Sequence, residues 1–364
     1  MAKKSSSLLA TRRVRSAAIP KIRETFLETV QDHALISPGD RIVVGVSGGC
    51  DSVFLLVCLH ELQRAYRLIL TAAHYNHRLR GEASEEDERF VASLCERLGV
   101  PLRVGRWERH SPSEPSEDEA RKARYGFFEQ VCREAGANKL ALGHTSDDDA
   151  ETILFRFLRG SSLSGLRGIP YGRALGSCTI IRPLKDLSKE EIRNHLRAEK
   201  IAWREDASNQ DLRYTRNRIR NQLLPLLEKE FNPNIRKLLV RLGKNMADDY
   251  DYLQKASEAA WGEVLLERSQ SRLVLKRRLF QRLPVAIQKQ IFREAMRKLG
   301  VDMDRIGYAE WQSVTLLLKE KSSRQSLPGC LEVSATPTKI LFAASLYRKT
   351  HPGKALPQEA DRLA

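Results

Sequence analysis

Ser47-Gly48-Gly49-Cys50-Asp51-Ser52 is the segment of this chain best suited to hold an anion. It follows an apolar run, Ile42-Val43-Val44-Gly45-Val46, and leads into a stretch of helical spacing from Ser52 to Tyr66. Two glycines permit a tight turn and let the backbone approach a phosphate with no Cβ in the way. Exposed N–H groups and the positive end of the next helix would face the anion, and Ser47 and Ser52 add hydroxyl donors. Asp51 is out of place beside phosphates unless a Mg2+ ion stands between them. The plainer alternative is a glycine-rich turn with an Asp/Ser helix cap. The spacing is neither Gly-x-Gly-x-x-Gly nor Gly-x-x-x-x-Gly-Lys-Ser/Thr, so neither a dinucleotide fingerprint nor a Walker-type loop is indicated.

A second concentration of chemistry follows another apolar run, Lys139 to Gly143: Asp147, Asp148, Asp149 and Glu151. An acidic first helical turn is favourable to the helix dipole, which is the bland reading. Phosphate chemistry, however, calls for a divalent cation, and an amine nucleophile calls for a carboxylate. Glu151 lies one turn from Asp148 on the same face. His74, Asn76 and His77 sit near the end of a further strand. Two histidines three apart on an extended segment point to opposite faces, poor geometry for one metal, so they read as nucleotide neighbours or as structural groups. Arg121 and Arg124 share a helix face, suited to phosphate or to solvent. Tyr214, interleaved with Arg213, Arg216, Arg218 and Arg220, offers a stacking ring among cations, or an ordinary amphipathic helix start. Arg268 to Lys298 holds ten Lys/Arg and one acidic residue, Glu294, a net +9. Such density needs an anionic partner, which makes Arg277, Arg278 and Arg282 candidate RNA contacts.

The elements that must position these groups alternate. Strands are expected at 42–46, Leu68 to His74, Leu102 to Trp107, 139–143 and Thr179 to Ile181. Helices are expected at Ser52 to Tyr66, Ala83 to Leu98, Asp118 to Ala135, Asp148 to Leu158 and Lys189 to Lys200. This alternation predicts an α/β fold with a doubly wound parallel sheet, and ligands at the carboxyl ends of its strands. A long linker helix, Asn234 to Glu258, then leads to a smaller α+β domain with strands at 272–276 and 339–342. The expected organisation is a basic arm and helix at 1–36, the α/β domain at 37–230, the linker at 231–258, an RNA-binding domain at 259–346 and a polar tail at 347–364.

The 364 residues carry 62 Lys+Arg against 46 Asp+Glu, a net +16, which favours a polyanionic partner. No apolar run is long enough for a membrane span, and no apolar leader follows the basic N-terminus. The six cysteines are dispersed, without a Cys-x-x-Cys pair, and read as reduced cytoplasmic thiols. Nothing fixes the oligomeric state, and a homodimer stays open.

Ser-Gly-Gly-x-Asp-Ser after a buried strand resembles the pyrophosphate loop of the N-type ATP pyrophosphatases. Later segments resemble the tRNA(Ile)-lysidine synthetase family within that superfamily. They are His74-Tyr75-Asn76-His77-Arg78-Leu79-Arg80, Arg121-Lys122-Ala123-Arg124-Tyr125, Gly143-His144-Thr145-Ser146-Asp147-Asp148-Asp149-Ala150-Glu151-Thr152, Arg182-Pro183-Leu184, Glu205 to Asp211 and Tyr214 to Arg220. The resemblance spans roughly Arg41 to Leu227. It implies ATP, Mg2+, free lysine and tRNA(Ile) with a CAU anticodon as ligands, with adenylation of the wobble cytidine followed by lysine attack at C2. Ser47, Gly48, Gly49, Cys50, Asp51, Ser52, His74 and Arg121 would then bind ATP, and Asp51 would hold Mg2+. Asp148 and Glu151 would bind lysine, with Asp51 and Asp148 catalytic. Lysine's amine ionises near pH 10.4, so a carboxylate that accepts the ammonium and takes up its proton would offset about 4–5 kcal/mol at neutral pH. Arg124, Tyr214, Arg216, Arg218, Arg220, Arg277, Arg278 and Arg282 would contact tRNA. A tRNA thiolase of the same superfamily and a non-catalytic RNA-binding protein are the alternatives. The thiolases commonly use Cys-x-x-Cys pairs or a catalytic cysteine, which this chain lacks.

Overall fold

The computed structural model describes residues 20–78, 81–107, 117–205, 212, 215–303, 306–329 and 331–344. The chain divides into two compact units, Met1–Asn245 and Met246–Ala364. No helix among the described residues is long and apolar enough to cross a membrane.

In the first unit, α1 (Lys21–Asp32) precedes β1 (Arg41–Gly45), α2 (Cys50–Tyr66), β2 (Ile69–Asn76), α3 (Glu82–Leu98) and β3 (Leu102–Arg106). There follow α4 (Glu117–Glu134), β4 (Lys139–Ala141), α5 (Ser146–Leu158), the short α6 (Leu163–Leu166), β5 (Gly172–Leu175), β6 (Cys178–Ile181) and α7 (Lys189–Ala198). The sheet order is β3-β2-β1-β4-β6-β5, parallel except for β5. The central strand β1 shows why its sequence is continuously apolar. Ile42 and Val44 pack with α1, α2, α3 and α7 on one face, and Val43 packs with Phe128, Val131 and Cys132 of α4 on the other. The antiparallel β5 was not expected. Its residues are mostly exposed, so no apolar pattern marks it, and it is held by backbone pairing to β6 through a turn at Gly176, where φ is 52°.

One buried cluster fixes the entrance to β1. Asp40 accepts from Ser37 N (2.7 Å), Asn138 Nδ2 (2.7 Å) and Lys139 Nζ (2.8 Å). Burial raises its proton affinity, but the Lys139 bond and the other donors outweigh that and leave it below the usual carboxylate range.

After α7 come α8 (Thr215–Arg218), a π-helical turn at Ile219–Leu223, α9 (Leu224–Glu230) and α10 (Ile235–Val264). The boundary between the units, after Asn245, falls inside α10. The second unit continues with β7 (Leu265–Arg268), β8 (Arg272–Lys276), α11 (Arg277–Arg282), α12 (Val285–Lys298), α13 (Tyr308–Leu317), β9 (Ser323–Leu327), β10 (Leu331–Ala335) and β11 (Lys339–Ala344). Its sheet is antiparallel throughout, ordered β7-β8-β11-β10-β9. Phe280, Phe292 and Phe342 centre its core. Of these strands only β8 and β11 are expected from sequence. The exposed, polar β7 and β9 carry little pattern, whereas Leu331, Val333 and Ala335 of β10 alternate cleanly between the core and outward-facing Glu332 and Ser334.

Candidate active site

The loop at the carboxyl end of β1 is closed by its own hydroxyls. Ser47 N donates to Ser52 Oγ (3.1 Å), Ser52 Oγ donates to Gly49 O (2.9 Å), and the two hydroxyl oxygens lie 3.1 Å apart. Gly48 turns the chain at φ +92°, where a side chain would be strained. Arg204 N donates to Gly48 O (2.9 Å), while the Arg204 side chain pairs with Glu86 and Asp87 of α3. His74, expected beside the nucleotide, bonds through Nδ1 to Val46 O (2.9 Å) and braces the loop from β2. Its Nε2 is buried without a hydrogen-bond partner. Burial, with Asp51 alongside, pushes the Cys50 thiol up to about 11, so it fills space rather than acting as a thiolate.

β4 delivers the second half of the site. A Cβ on Gly143 would lie 3.1–3.2 Å from backbone atoms of Asp51 and Ser52, so glycine lets the exit of β4 lie against the start of α2. The acidic residues of α5 then divide by direction. Asp148 Oδ2 accepts from Thr145 N (2.9 Å) and Thr145 Oγ1 (3.0 Å), capping its own helix. Its Oδ1 meets Lys189 Nζ (3.0 Å) and Arg220 Nη2 (3.2 Å). Burial works against ionisation there, but Lys189, His144 and Arg216 and the Thr145 bond win, and Asp148 is held far below the ordinary carboxylate range. Glu151, with its side chain 1% exposed, takes a two-point contact from Arg220 (Nε–Oε1 2.6 Å, Nη2–Oε2 2.8 Å) and a longer one from Arg216 Nε (3.4 Å). Asp147 accepts from Lys189 N (2.8 Å) and faces Arg236 (3.3 Å). Asp149 leaves the group: it accepts from Ile169 N (2.6 Å) and pairs with the buried Lys185 (3.2 Å).

Asp51 contrasts with Asp148. Burial first, then the neighbouring charges of Asp148 and Asp147, raise it to about 6 against the opposing pull of Lys189. Its hydrogen bond comes from the Cys50 thiol (3.3 Å). His144, between β4 and α5, is pushed down to about 3 by burial, with Arg182, Arg216 and Arg121 adding to the effect against Asp148. It is therefore neutral at physiological pH.

Several expected RNA contacts are placed otherwise. Arg216 and Arg220 turn inward to Glu151 and Asp148 rather than outward to phosphate. Arg220 lies in the π-helical turn, an irregularity frequent at functional sites. Arg277 is also directed inward. It is buried, and its guanidinium donates to the carbonyls of Leu318, Glu320, Lys321 and Thr336 at 2.6–3.1 Å. It ties together the turns of the second unit. Arg218, Arg278 and Arg282 are exposed. Arg121 is exposed and stacks over Tyr125 at 5.1 Å. Arg124 is half-buried, and its charge helps burial lower His77 to about 4. Tyr214 lies outside the described residues. The sequence reading passed over Lys189, Arg204 and Arg236. Lys189 was traceable: it opens α7 directly after Ser188, whose capping box with Glu191 has the Ser-x-x-Glu signature.

Residues 19–227 match the PP-loop domain family. The chain is 37% identical over 325 residues to the tRNA(Ile)-lysidine synthase of Geobacter sulfurreducens, covering 86% of this chain and 67% of that one. It is 39% identical over 247 residues to that of Clostridioides difficile, covering 67% and 53%. With that of Chlorobaculum tepidum it shares 37% over 237 residues, covering 64% and 70%. The chain thus spans from about half to seven tenths of the length of these curated relatives. Among solved structures, a U34-tRNA thiolase from Methanococcus maripaludis superposes with a TM-score of 0.52 at 18% identity, over 62% of this chain and 78% of that one, a likeness of fold alone. The parallel sheet, the hydroxyl-closed glycine loop on β1, the PP-loop match over more than half of the chain and the identity to these relatives agree: the chain belongs to the tRNA(Ile)-lysidine synthase family of PP-loop proteins.

Proposed function

We propose that this chain joins free lysine to C2 of the wobble cytidine of a tRNA(Ile) with anticodon CAU, cleaving ATP to AMP and pyrophosphate. The observation that carries the reading is the convergence of a phosphate-type loop with the buried pair Asp148 and Glu151 at the carboxyl ends of β1 and β4. In the first step the cytidine O2 attacks the α-phosphorus and pyrophosphate leaves. In the second the lysine ε-nitrogen bonds to C2, the C2–O bond breaks, and AMP departs with that oxygen.

The loop amides, with Ser47 and Ser52, would hold the phosphates once their mutual hydrogen bonds open. Asp51 fits a cation, because it is a buried carboxylate with raised proton affinity and no basic side chain among its hydrogen-bond partners. Mg2+ held there would neutralise charge on the departing pyrophosphate. Asp148 and Glu151 would hold the substrate ammonium. Lys189, Arg216 and Arg220 already face these carboxylates, so one resident cation must yield. Arg216, 3.4 Å from Glu151 and 4.0 Å from Asp148, is the most loosely held. The strongly ionised state of Asp148 supports it as a holder of the ammonium and weighs against it as the acceptor of its proton. Burial raises every described cysteine thiol, from Cys50 to Cys178, which favours ligation over thiolation.

The test is pyrophosphate release with ATP, lysine and the tRNA together against each omission, followed by mass spectrometry of the tRNA nucleosides. Lysidine dependent on all three supports the reading. Pyrophosphate release indifferent to lysine, with unmodified cytidine, would overturn it.

A further inference from the structure

A cavity of about 380 Å3 opens between α5 and the α8–π segment, lined by Phe155, Leu158, Arg159, Thr215 and Ile219. It lies along the seam that holds the carboxylates. On α5, Glu151, Phe155 and Leu158 follow at i, i+4 and i+7, one stripe of the helix. On the opposite wall Thr215 and Ile219 alternate with Arg216 and Arg220, which grip Glu151. Glu151 to Leu158 is seven residues, about 10 Å along the axis.

The lining is apolar at its base, where Ile219 is buried, and unusually exposed at its mouth, where Leu158 is 58% exposed. Arg159 lays its guanidinium over the Phe155 ring at 5.1 Å, and Thr215 supplies a hydroxyl. A flat guanidinium, an aromatic ring and aliphatic walls make a platform on which an unstacked base can lie. The rim is cationic: Arg159 and Arg218 are exposed beside the groove, whereas Arg216 and Arg220 are already paired with the carboxylates, so the rim complements a chain of phosphates.

We propose that this groove binds an unstacked nucleobase of the anticodon loop neighbouring the cytidine that enters the carboxylate site. The inference rests on the lysidine synthase reading and adds a subsite to it. Phosphates flanking that base run past Arg159 and Arg218, and the base is held by stacking, without sequence readout.

Two variants of the full chain test this. Leu158→Glu places a charge at the exposed mouth of the groove without disturbing a buried position. Phe157→Glu changes a 62%-exposed residue of the same helix that does not line the groove. Steady-state lysidine formation by Leu158→Glu is expected to show at least a tenfold rise in KM for tRNA, with KM for ATP and lysine within twofold of wild type. Phe157→Glu should stay within twofold for all three. In parallel, tRNA transcribed with 4-thiouridine at its anticodon-loop uridines is photo-crosslinked, and crosslinks to peptides containing 155–159 or 215–219 are expected, disappearing in Leu158→Glu. Wild-type enzyme that makes lysidine while Leu158→Glu keeps its tRNA KM within twofold would overturn the groove and leave the function standing. A wild-type enzyme that makes no lysidine would remove the function itself. If sedimentation shows that Leu158→Glu converts a dimer into monomers, the groove is a contact between copies and the base-binding proposal falls.

Discussion

Arg220 should act as a structural counter-ion of the site, and Arg220→Gln measures it. The guanidinium makes two short contacts to Glu151 and a third, at 3.2 Å, to Asp148. Removing one partner of a buried ion pair typically costs about 3–5 kcal/mol, because the remaining charge stays desolvated. Two features reduce the figure here. Arg216 stays 3.4 Å from Glu151 and Lys189 stays on Asp148, and the Arg220 side chain is 23% exposed, so water reaches it. About 2–3 kcal/mol is then expected. In a unit of this size 1 kcal/mol corresponds to about 2–4 °C, so the first unit should melt about 4–12 °C lower. Calorimetry of wild type, Arg220→Gln, Glu151→Gln and the double variant gives both the shift and the coupling, expected at about 1–3 kcal/mol. Exposed Arg218→Gln is the control and should cost less than about 0.5 kcal/mol. Arg220→Gln melting with wild type, or zero coupling to Glu151, would refute the reasoning and return Arg220 to the outward, RNA-contacting role.

The other predictions concern charge elsewhere. Asp51→Asn should abolish pyrophosphate release while tRNA affinity stays nearly unchanged. Asp148→Asn should impair lysine transfer more than adenylate formation, with partial recovery at higher pH as more free amine forms, and equal impairment of both steps would make Asp148 a group of the first step. Asp40 has a lowered folded-state pKa, so its contribution is present above the unfolded carboxylate value of about 4 and is lost as pH falls through the folded one. Asp40→Asn should therefore show a shallower acid limb of stability than wild type in urea titrations below about pH 5, and parallel limbs would exclude this pair. In the second unit, Arg277→Met should destabilise by about 2–4 kcal/mol through unsatisfied carbonyls and leave the salt dependence of tRNA binding untouched. Arg278→Gln with Arg282→Gln should flatten that slope by about one unit for each phosphate no longer neutralised, while an unchanged slope makes both a solvated face.

The phosphate loop and parallel sheet were legible because each rests on a local pattern. Glycines sit where φ must be positive or backbones must touch, and β1 is apolar at every buried position. Singling out Asp148 rested on the family resemblance, while the acidic cluster, and the shared face of Asp148 and Glu151, were legible from spacing. The direction of the arginines was not. Arg216 and Arg220 at i, i+4 look the same in sequence whether they face water or a buried glutamate, and the deciding partner lies 65 to 69 residues earlier. The inward direction of Arg277 was hidden for a related reason. It belongs to a cationic run, but it opens α11 at a point where four carbonyls from later turns converge. Strands β5, β7 and β9 are specified by pairing partners rather than by their own side chains.

Asp148 caps α5 with one oxygen and faces the cations of Lys189 and Arg220 with the other. On the proposed function the same atom group is thus a folding signal and a working part, so the corner would not be assembled without also being aimed. Substitution at this position should be limited accordingly. Asparagine would still begin the helix while discarding the charge, and alanine would discard both. A population of variants ranked by abundance and by activity should separate at residue 148 along that line, with asparagine abundant and inactive and alanine scarce.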